Sequence, residues 1–336
     1  MTRNPVLSFT EKGIYCAAGD FYIDPWRPVE RALITHGHAD HARFGHVKYL
    51  ATHSALPVMR HRLGDINTQG IAFGDMLQIG DASVSFHPAG HVPGSAQIKV
   101  CVKGEIWVIS GDYKLADDGL SEPFEPQQCH HFITESTFGL PVFHWRHQNS
   151  VAKDLNHWWA ACAQQGKTAF LGAYSLGKAQ RLLRMLDPDI GPILTHGAVE
   201  ATNAVMRDQD IKLPRTELLT QDTDPKANKG AIVVAPPSAL GSTWAKRFGP
   251  SESAFASGWM QLRGVRRRRA GDRGFVISDH ADWNGLLDAV RLSGAENIYV
   301  THGYTDVFAR YLNENGWNAQ VVPTEFGGDD SEEDVQ

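Results

Sequence analysis

Along the first 135 positions, apolar residues come in short runs broken by Gly and Asp, the spacing of strands joined by tight turns. The pattern predicts strands at 13–18, 21–24, 32–35, 83–86, 97–102, 106–110 and 130–135, with one helix at 54–63. From about residue 150 the rhythm changes. Val151, Leu155, Trp158, Trp159 and Cys162 recur at helical spacing, and Gly166 stops them. Strand-like runs at 168–173, 192–195 and 231–235 then alternate with helical segments at 178–186 and from about 199. That alternation predicts a parallel sheet with flanking helices. Near residue 274 the first rhythm returns, with a strand at 275–278, a helix behind an Asp282 cap, a strand at 298–301 and a last helix ending at Gly316. The expectation is an α/β chain in which one module interrupts another: 1–150, an insertion at 151–272, a return segment at 273–326, and a tail at 327–336.

With 336 residues, of which 42% are hydrophobic and 21% charged, the chain can build a sizeable core. The formal net charge of −6 excludes a globally basic nucleic-acid binder, so any such contact must be local. Part of the acidity sits in Asp329-Asp330-Ser331-Glu332-Glu333-Asp334, read as a solvated tail. The cysteines Cys16, Cys101, Cys129 and Cys162 are scattered, which is no disulfide framework and favours a reducing compartment. The N-terminus leads into no sustained apolar segment, and no run approaches the roughly twenty residues that span a bilayer. A soluble cytoplasmic protein with no membrane contact is expected.

The chemistry is concentrated in Thr35-His36-Gly37-His38-Ala39-Asp40-His41, directly after an apolar run. Side chains two apart on an extended loop point the same way, so His36 and His38 can grip one ion. Asp40 and His41 are presented from the following turn towards a second position. Imidazole and carboxylate suit zinc and similar ions such as manganese. A His-rich surface loop is the competing reading, since the chain holds 16 histidines. Further ligands should stand where strands end, and His91, Asp112 and His302 do. Each taken singly is equally a turn former, but all three share one context; a carboxylate at 112 could bridge two ions.

The series His36-x-His38-x-Asp40-His41, His91, Asp112, His302 resembles the metallo-β-lactamase superfamily. Glu135-Ser136-Thr137-Phe138-Gly139, Leu176-Gly177-Lys178-Ala179-Gln180, Ser278-Asp279-His280-Ala281-Asp282 and Thr301-His302-Gly303 narrow the resemblance to its β-CASP nucleases. Within that branch, Gly19-Asp20-Phe21-Tyr22-Ile23-Asp24-Pro25-Trp26 is similar in style to the bacterial ligase-associated DNA exonucleases, relatives of the Artemis-like repair nucleases. The resemblance implies an αββα sandwich (α+β) carrying an inserted α/β β-CASP domain. It implies that His36, His38 and His91 hold one divalent ion, that Asp40, His41 and His302 hold a second, and that Asp112 bridges. The metal expected is zinc, or manganese. Asp24 would orient a ligand from behind, with Asp20 its competitor for that role.

The function this implies is a two-metal phosphodiesterase, a DNA exonuclease in repair, with a functional link to a DNA ligase and a helicase. His280 would be the general acid for the departing 3′-oxygen and Glu135 its partner, so the catalytic set is Asp112, His280, Glu135, Asp24 and Asp40. Artemis-like nucleases generally lack a His at the position of His302, whereas RNA-processing members have one, so an RNA-processing nuclease is the first alternative. A small-molecule metallohydrolase is the second. For substrate contacts, Arg263-Gly264-Val265-Arg266-Arg267-Arg268-Arg269 with Lys246 and Arg247 is the concentrated basic stretch, either phosphate-binding or a solvated charged loop. Arg266, Arg267, Ser136 and Lys178 are the candidates there, the last at a helix start where backbone amides can hold phosphate.

Overall fold

The structure, a computed structural model, describes residues 5–240, 243–269 and 271–325. The expected acidic tail at 327–336 lies outside the described residues. Two compact units emerge: Met1–Val142 with His280–Gln336, and Phe143–Asp279.

The first unit contains two mixed sheets. One runs, in spatial order, Leu7–Thr10, Gly13–Cys16, Phe21–Ile23, Arg31–Leu33, Lys48–Thr52 and Thr68–Ile71. The other runs Asn318–Val321, Asn297–Gly303, His131–Ser136, Glu105–Ile109, Ala96–Val102, Ala82–Pro88 and Met76–Ile79. Strand alternation explains the layering, because successive side chains point to opposite faces. Trp107, Ile109 and Ile133 join Ile14, Phe21, Leu33, Val84, Phe86 and Ile98 in one core cluster, which draws on both sheets. Their neighbours Val108 and Phe132 face the other way, with Ile298 and Val300, onto the helices Trp283–Ser293 and Thr305–Glu314. Ala32, Tyr49 and Ala51 cover their sheet's outer face with the helix Leu56–Leu63. The layers therefore read helix, sheet, sheet, helix, the αββα arrangement expected.

Each sheet has a parallel part. Strands 21–23, 31–33, 48–52 and 68–71 pair in parallel, as do 105–109, 131–136, 297–303 and 318–321. Parallel neighbours end at the same edge, and the crevice beyond the carboxyl ends of such strands is where α/β folds place their chemistry. The parallel ladder between 131–136 and 297–303 carries an irregularity between Thr134 and Ser136, with Ser136 opposite Gly303. A bulge of this kind re-aims a side chain, and the one it re-aims is Glu135.

The second unit is one parallel sheet in the order Glu217–Leu218, Ile193–Thr195, Ile232–Ala235, Thr168–Gly172, Ser251–Ala256, Arg273–Phe275. Both faces are covered: Ala169, Leu171, Ile232 and Val234 meet the helices Gln148–Gln164 and Lys178–Met185, while Phe170 and Val233 meet Ala245 and Phe248. This two-sided burial is why its strands read as continuous apolar runs. The strand near 275 needs a correction. It spans Arg273–Phe275 and pairs with Ser251–Ala256, so the chain stays in the second unit through Asp279 instead of returning at 273. The first crossing likewise falls at 142/143, ahead of the long helix, and not at 150. No helix among the described residues is long and apolar enough to cross a membrane.

Candidate metal centre

The ligand-type residues converge at the carboxyl ends of the first unit's strands. His36 follows the strand Arg31–Leu33, His91 follows Ala82–Pro88, Asp112 follows Glu105–Ile109, and His302 lies at the end of Asn297–Gly303. Close approach is possible because of glycine at two points. Gly111 has a φ of 56°, and a Cβ there would sit 2.7 Å from the Thr35 side chain; at Gly303, with φ 85°, a Cβ would strike the Ser136 carbonyl.

Three groups of ligand atoms form, each within 4.8 Å internally: His36, His38, His91 and Asp112; His41, Asp112 and His302; and Asp112, Glu135 and His280. Asp112 belongs to all three. Its Oδ2 lies 3.5 Å from His36 Nε2, 3.5 Å from His41 Nε2 and 3.8 Å from His91 Nε2, and its Oδ1 lies 3.0 Å from His302 Nε2. His38 Nδ1 and His91 Nε2 stand 3.0 Å apart. Asp40 is at the margin, its Oδ2 3.5 Å from His41 Nε2, and it belongs to none of the three groups.

Hydrogen bonds behind this shell fix which nitrogen faces in. Asp24, buried and at a φ of 41°, accepts from the Thr35 backbone N–H at 2.8 Å and from its hydroxyl at 2.6 Å. The same carboxylate is 2.7 Å from His41 Nδ1. With its own hydrogen given to Asp24, the Thr35 oxygen is left to accept from His36 Nδ1, 3.0 Å away. Protonation at Nδ1 leaves the Nε2 lone pair of His36 directed at the Asp112 carboxylate, an arrangement that repels unless a cation sits between, and turns His41 Nε2 toward the same carboxylate. His36 Nε2 is buried with no hydrogen-bond partner. A buried, orphaned acceptor facing a carboxylate fits a divalent cation. Asp20 lies elsewhere, on the surface, where it accepts from Tyr15. Thr35 itself was not legible as functional; its one signal is its place between strand and first histidine.

The electrostatics are mutually dependent. Burial drives the His36 imidazole well below its ordinary value, and the neighbouring His41 adds to that. Burial also opposes charge on His41, but the carboxylates of Asp40, Asp112 and Asp24 prevail and raise it well above the usual histidine range. Asp112 is disfavoured as an anion by burial, yet His41, His302 and His280 together hold it well below the usual carboxylate range.

Beside Asp112 lies the pair the bulge creates. His280 Nδ1 is 2.9 and 3.1 Å from the two Glu135 oxygens, and Glu135 Oε1 also accepts from the Tyr113 N–H at 2.9 Å. The imidazole is held against the His91 ring at 4.6 Å and edge-on to Phe138 at 5.9 Å. Its helix begins at Asp282, which caps the Gly285 N–H as the sequence predicts.

Two substrate-contact candidates are corrected. Ser136 is fully buried, and its hydroxyl donates to the Thr301 and His302 carbonyls, so it braces the ligand loop. Lys178 is 2% exposed, with its ammonium 3.9 Å from Asp279 and over the Tyr174 ring. The amides at that helix start are consumed internally, Gly177 N–H by Gln180 Oε1 and Lys178 N–H by the Leu176 carbonyl. Arg266 and Arg267 are exposed. They line, with Arg146 and Arg273, a depression of about 600 Å³ in the second unit.

No family model matches the chain. It is 29% identical over 314 residues to a protein of Opitutus terrae named "Probable DNA ligase", a span of 92% of this chain and 30% of that protein. It is 29% identical over 123 residues to a protein of Saccharolobus solfataricus named "RNase aCSPSF2", covering 36% of this chain and 25% of the relative. The chain thus spans less than a third of either relative's length. Among solved structures, a protein of unknown function from Enterococcus faecalis shares the fold, with a TM-score of 0.61 at 11% identity over 88% of this chain and 80% of that one.

Proposed function

We propose that the chain is a β-CASP nuclease of the metallo-β-lactamase superfamily and, on that footing, a metal-dependent DNA exonuclease acting in repair. The observation that carries the reading is the triple role of Asp112, which serves two histidine clusters and the Glu135–His280 pair at once. His36, His38 and His91 would hold one cation and His41, Asp40 and His302 a second, with Asp112 between them and zinc or manganese as the metals suited to the donors. When bound, such cations supply charge neutralisation at the phosphate and an activated water near neutral pH.

The chain's own residues do the rest. Asp24 and Thr35 keep His41 and His36 in the tautomers that present Nε2 inward. Glu135 accepts from His280 Nδ1, which leaves Nε2 to carry the proton delivered to the departing 3′-oxygen. Arg266 and Arg267 would contact phosphates from the second unit, which corresponds to the branch's inserted domain. DNA is favoured over RNA by extent of likeness: the DNA-ligase-named relative matches 92% of this chain, the ribonuclease-named one 36%. The same likeness supports a link to ligation, with a helicase as the natural further partner. Four free cysteines suit a reducing cytoplasm. RNA processing is the second reading, and His302 within the Asp112 cluster favours it.

The test uses single-stranded DNA and RNA of one sequence, labelled at either end, with chelator-treated protein and added Zn²⁺ or Mn²⁺. Metal-dependent shortening of DNA alone is expected, with loss of one label ahead of the other. Cleavage of RNA alone would sink the DNA assignment, and cleavage of neither would return the site to small-molecule hydrolysis.

A further inference from the structure

The turn that follows the metal-binding heptad is built to hold one ring in water. Of the fourteen phenylalanines among the described residues, Phe44 alone is exposed, at 74%, and no tryptophan or tyrosine whose side chain is described is exposed either. A phenylalanine left in solvent forfeits one of the larger burial gains available to any side chain. Exposure through a floppy loop would explain that, but this loop is pinned on both sides of the ring. The Ala42 N–H donates to the His38 carbonyl at 2.8 Å. Arg43 donates from Nε to the Asp40 carbonyl at 3.1 Å and also to the Glu325 carbonyl, while its own carbonyl accepts from Tyr49 Oη at 2.9 Å. The His46 N–H donates back to the same Tyr49 oxygen at 3.0 Å, and its ring packs on Tyr49 at 5.0 Å. Backbone and flanking side chains are thus committed inward, and Phe44 is what the turn offers outward.

Three peptide links separate Phe44 from His41, so their Cα atoms lie within about 11 Å of each other. That is the reach of a nucleotide or two along a strand from the ion-holding atoms. Lys48, exposed, supplies positive charge nearby, whereas Arg27 is paired with the Glu325 carboxylate. Resting on the nuclease reading, we propose that Phe44 is a base-stacking platform that takes the face of one unpaired nucleobase next to the scissile phosphodiester. A rigid, solvent-facing ring suits this because every base has a π-face, so stacking grips a single strand without reading its sequence. A paired base, already stacked in its duplex, would not fit, and the platform therefore selects single-stranded ends.

The experiment walks one abasic residue along a single-stranded DNA and measures KM and kcat for metal-loaded wild type, Phe44→Ala and Phe44→Trp. One abasic position is expected to raise the wild-type KM about tenfold, within the range of a single base–aromatic stack. Phe44→Ala should show that raised KM on intact DNA, with kcat unchanged and no further loss at the same abasic position; Phe44→Trp should restore the wild-type value. Because the ring is exposed, these variants keep the core intact. A Phe44→Ala enzyme with wild-type KM, or one that loses as much again at every abasic position, overturns the platform. If the wild type shortens no strand at all, the nuclease reading fails first and the platform with it.

Discussion

Asp112 and His280 sit in one cluster but have separable jobs, and the difference is visible in what each touches. Asp112 faces four imidazoles, so its removal exposes lone pairs to one another and takes away the anion that balances bound cations. His280 lies against the His91 ring and is hydrogen-bonded to Glu135. Asp112→Ala should therefore lower bound metal, read by elemental analysis, and abolish activity. His280→Ala should keep its metal and lose about 10²- to 10⁴-fold in kcat, the usual worth of a general acid. A fully active His280→Ala enzyme would remove the proton-donor assignment, and one that lost its metal would make His280 a ligand. That these residues converge was legible because imidazoles and carboxylates recur at strand ends in the sequence. Ser136 and Lys178 were not, because burial decides their use and no local pattern reports burial of a lone polar residue.

At the scale of elements, the sequence reveals most where burial is two-sided or strictly alternating, as in 168–172, 231–235 and 105–109. It misses strands whose polar residues are paired locally. Ser251–Ala256 is flanked by a strand on each side, yet opens Ser-Glu-Ser because Glu252 binds Lys167 at 2.7 Å and Trp158 at 3.2 Å. The bulge at Glu135 was equally hidden, since it depends on the register against 297–303, more than 160 positions away. The basic run resolves into the helix Arg263–Arg269, where Arg266 Nε bonds the Met260 carbonyl and Arg267 is exposed. Arg247 is drawn instead to the carbonyls of Gln221 and Thr220. If this helix holds phosphates, the double variant Arg266→Ala/Arg267→Ala releases two fewer counterions on binding. The plot of log affinity against log salt for single-stranded DNA should then flatten by about 1.4, from roughly 0.7 per phosphate. An unchanged slope would assign the run to solvent.

For the whole molecule, what matters is that every candidate ligand belongs to one unit. His36, His38, Asp40, His41, His91, Asp112 and His302 all fall in the unit formed by Met1–Val142 and His280–Gln336, while Phe143–Asp279 keeps its own parallel sheet and its own core. A ligand that binds only the folded form stabilises by mass action what it binds, about 2.7 kcal/mol at a hundredfold excess over its dissociation constant. That stabilisation should be local to the unit that supplies the donors. Metal would also cross-link two segments 190 positions apart in sequence, at Asp112 and His302, so its loss should loosen the strands at 105–109 and 297–303 together. Hydrogen exchange on the intact chain, with and without chelator, tests this directly. Amides of 31–33, 105–109 and 297–303 should exchange roughly a hundredfold faster once metal is stripped, while those of 168–172 and 232–235 should keep their rates. Equal acceleration in both units would mean that the two share one unfolding transition, and the metal centre would then stabilise the whole chain instead of the unit that builds it.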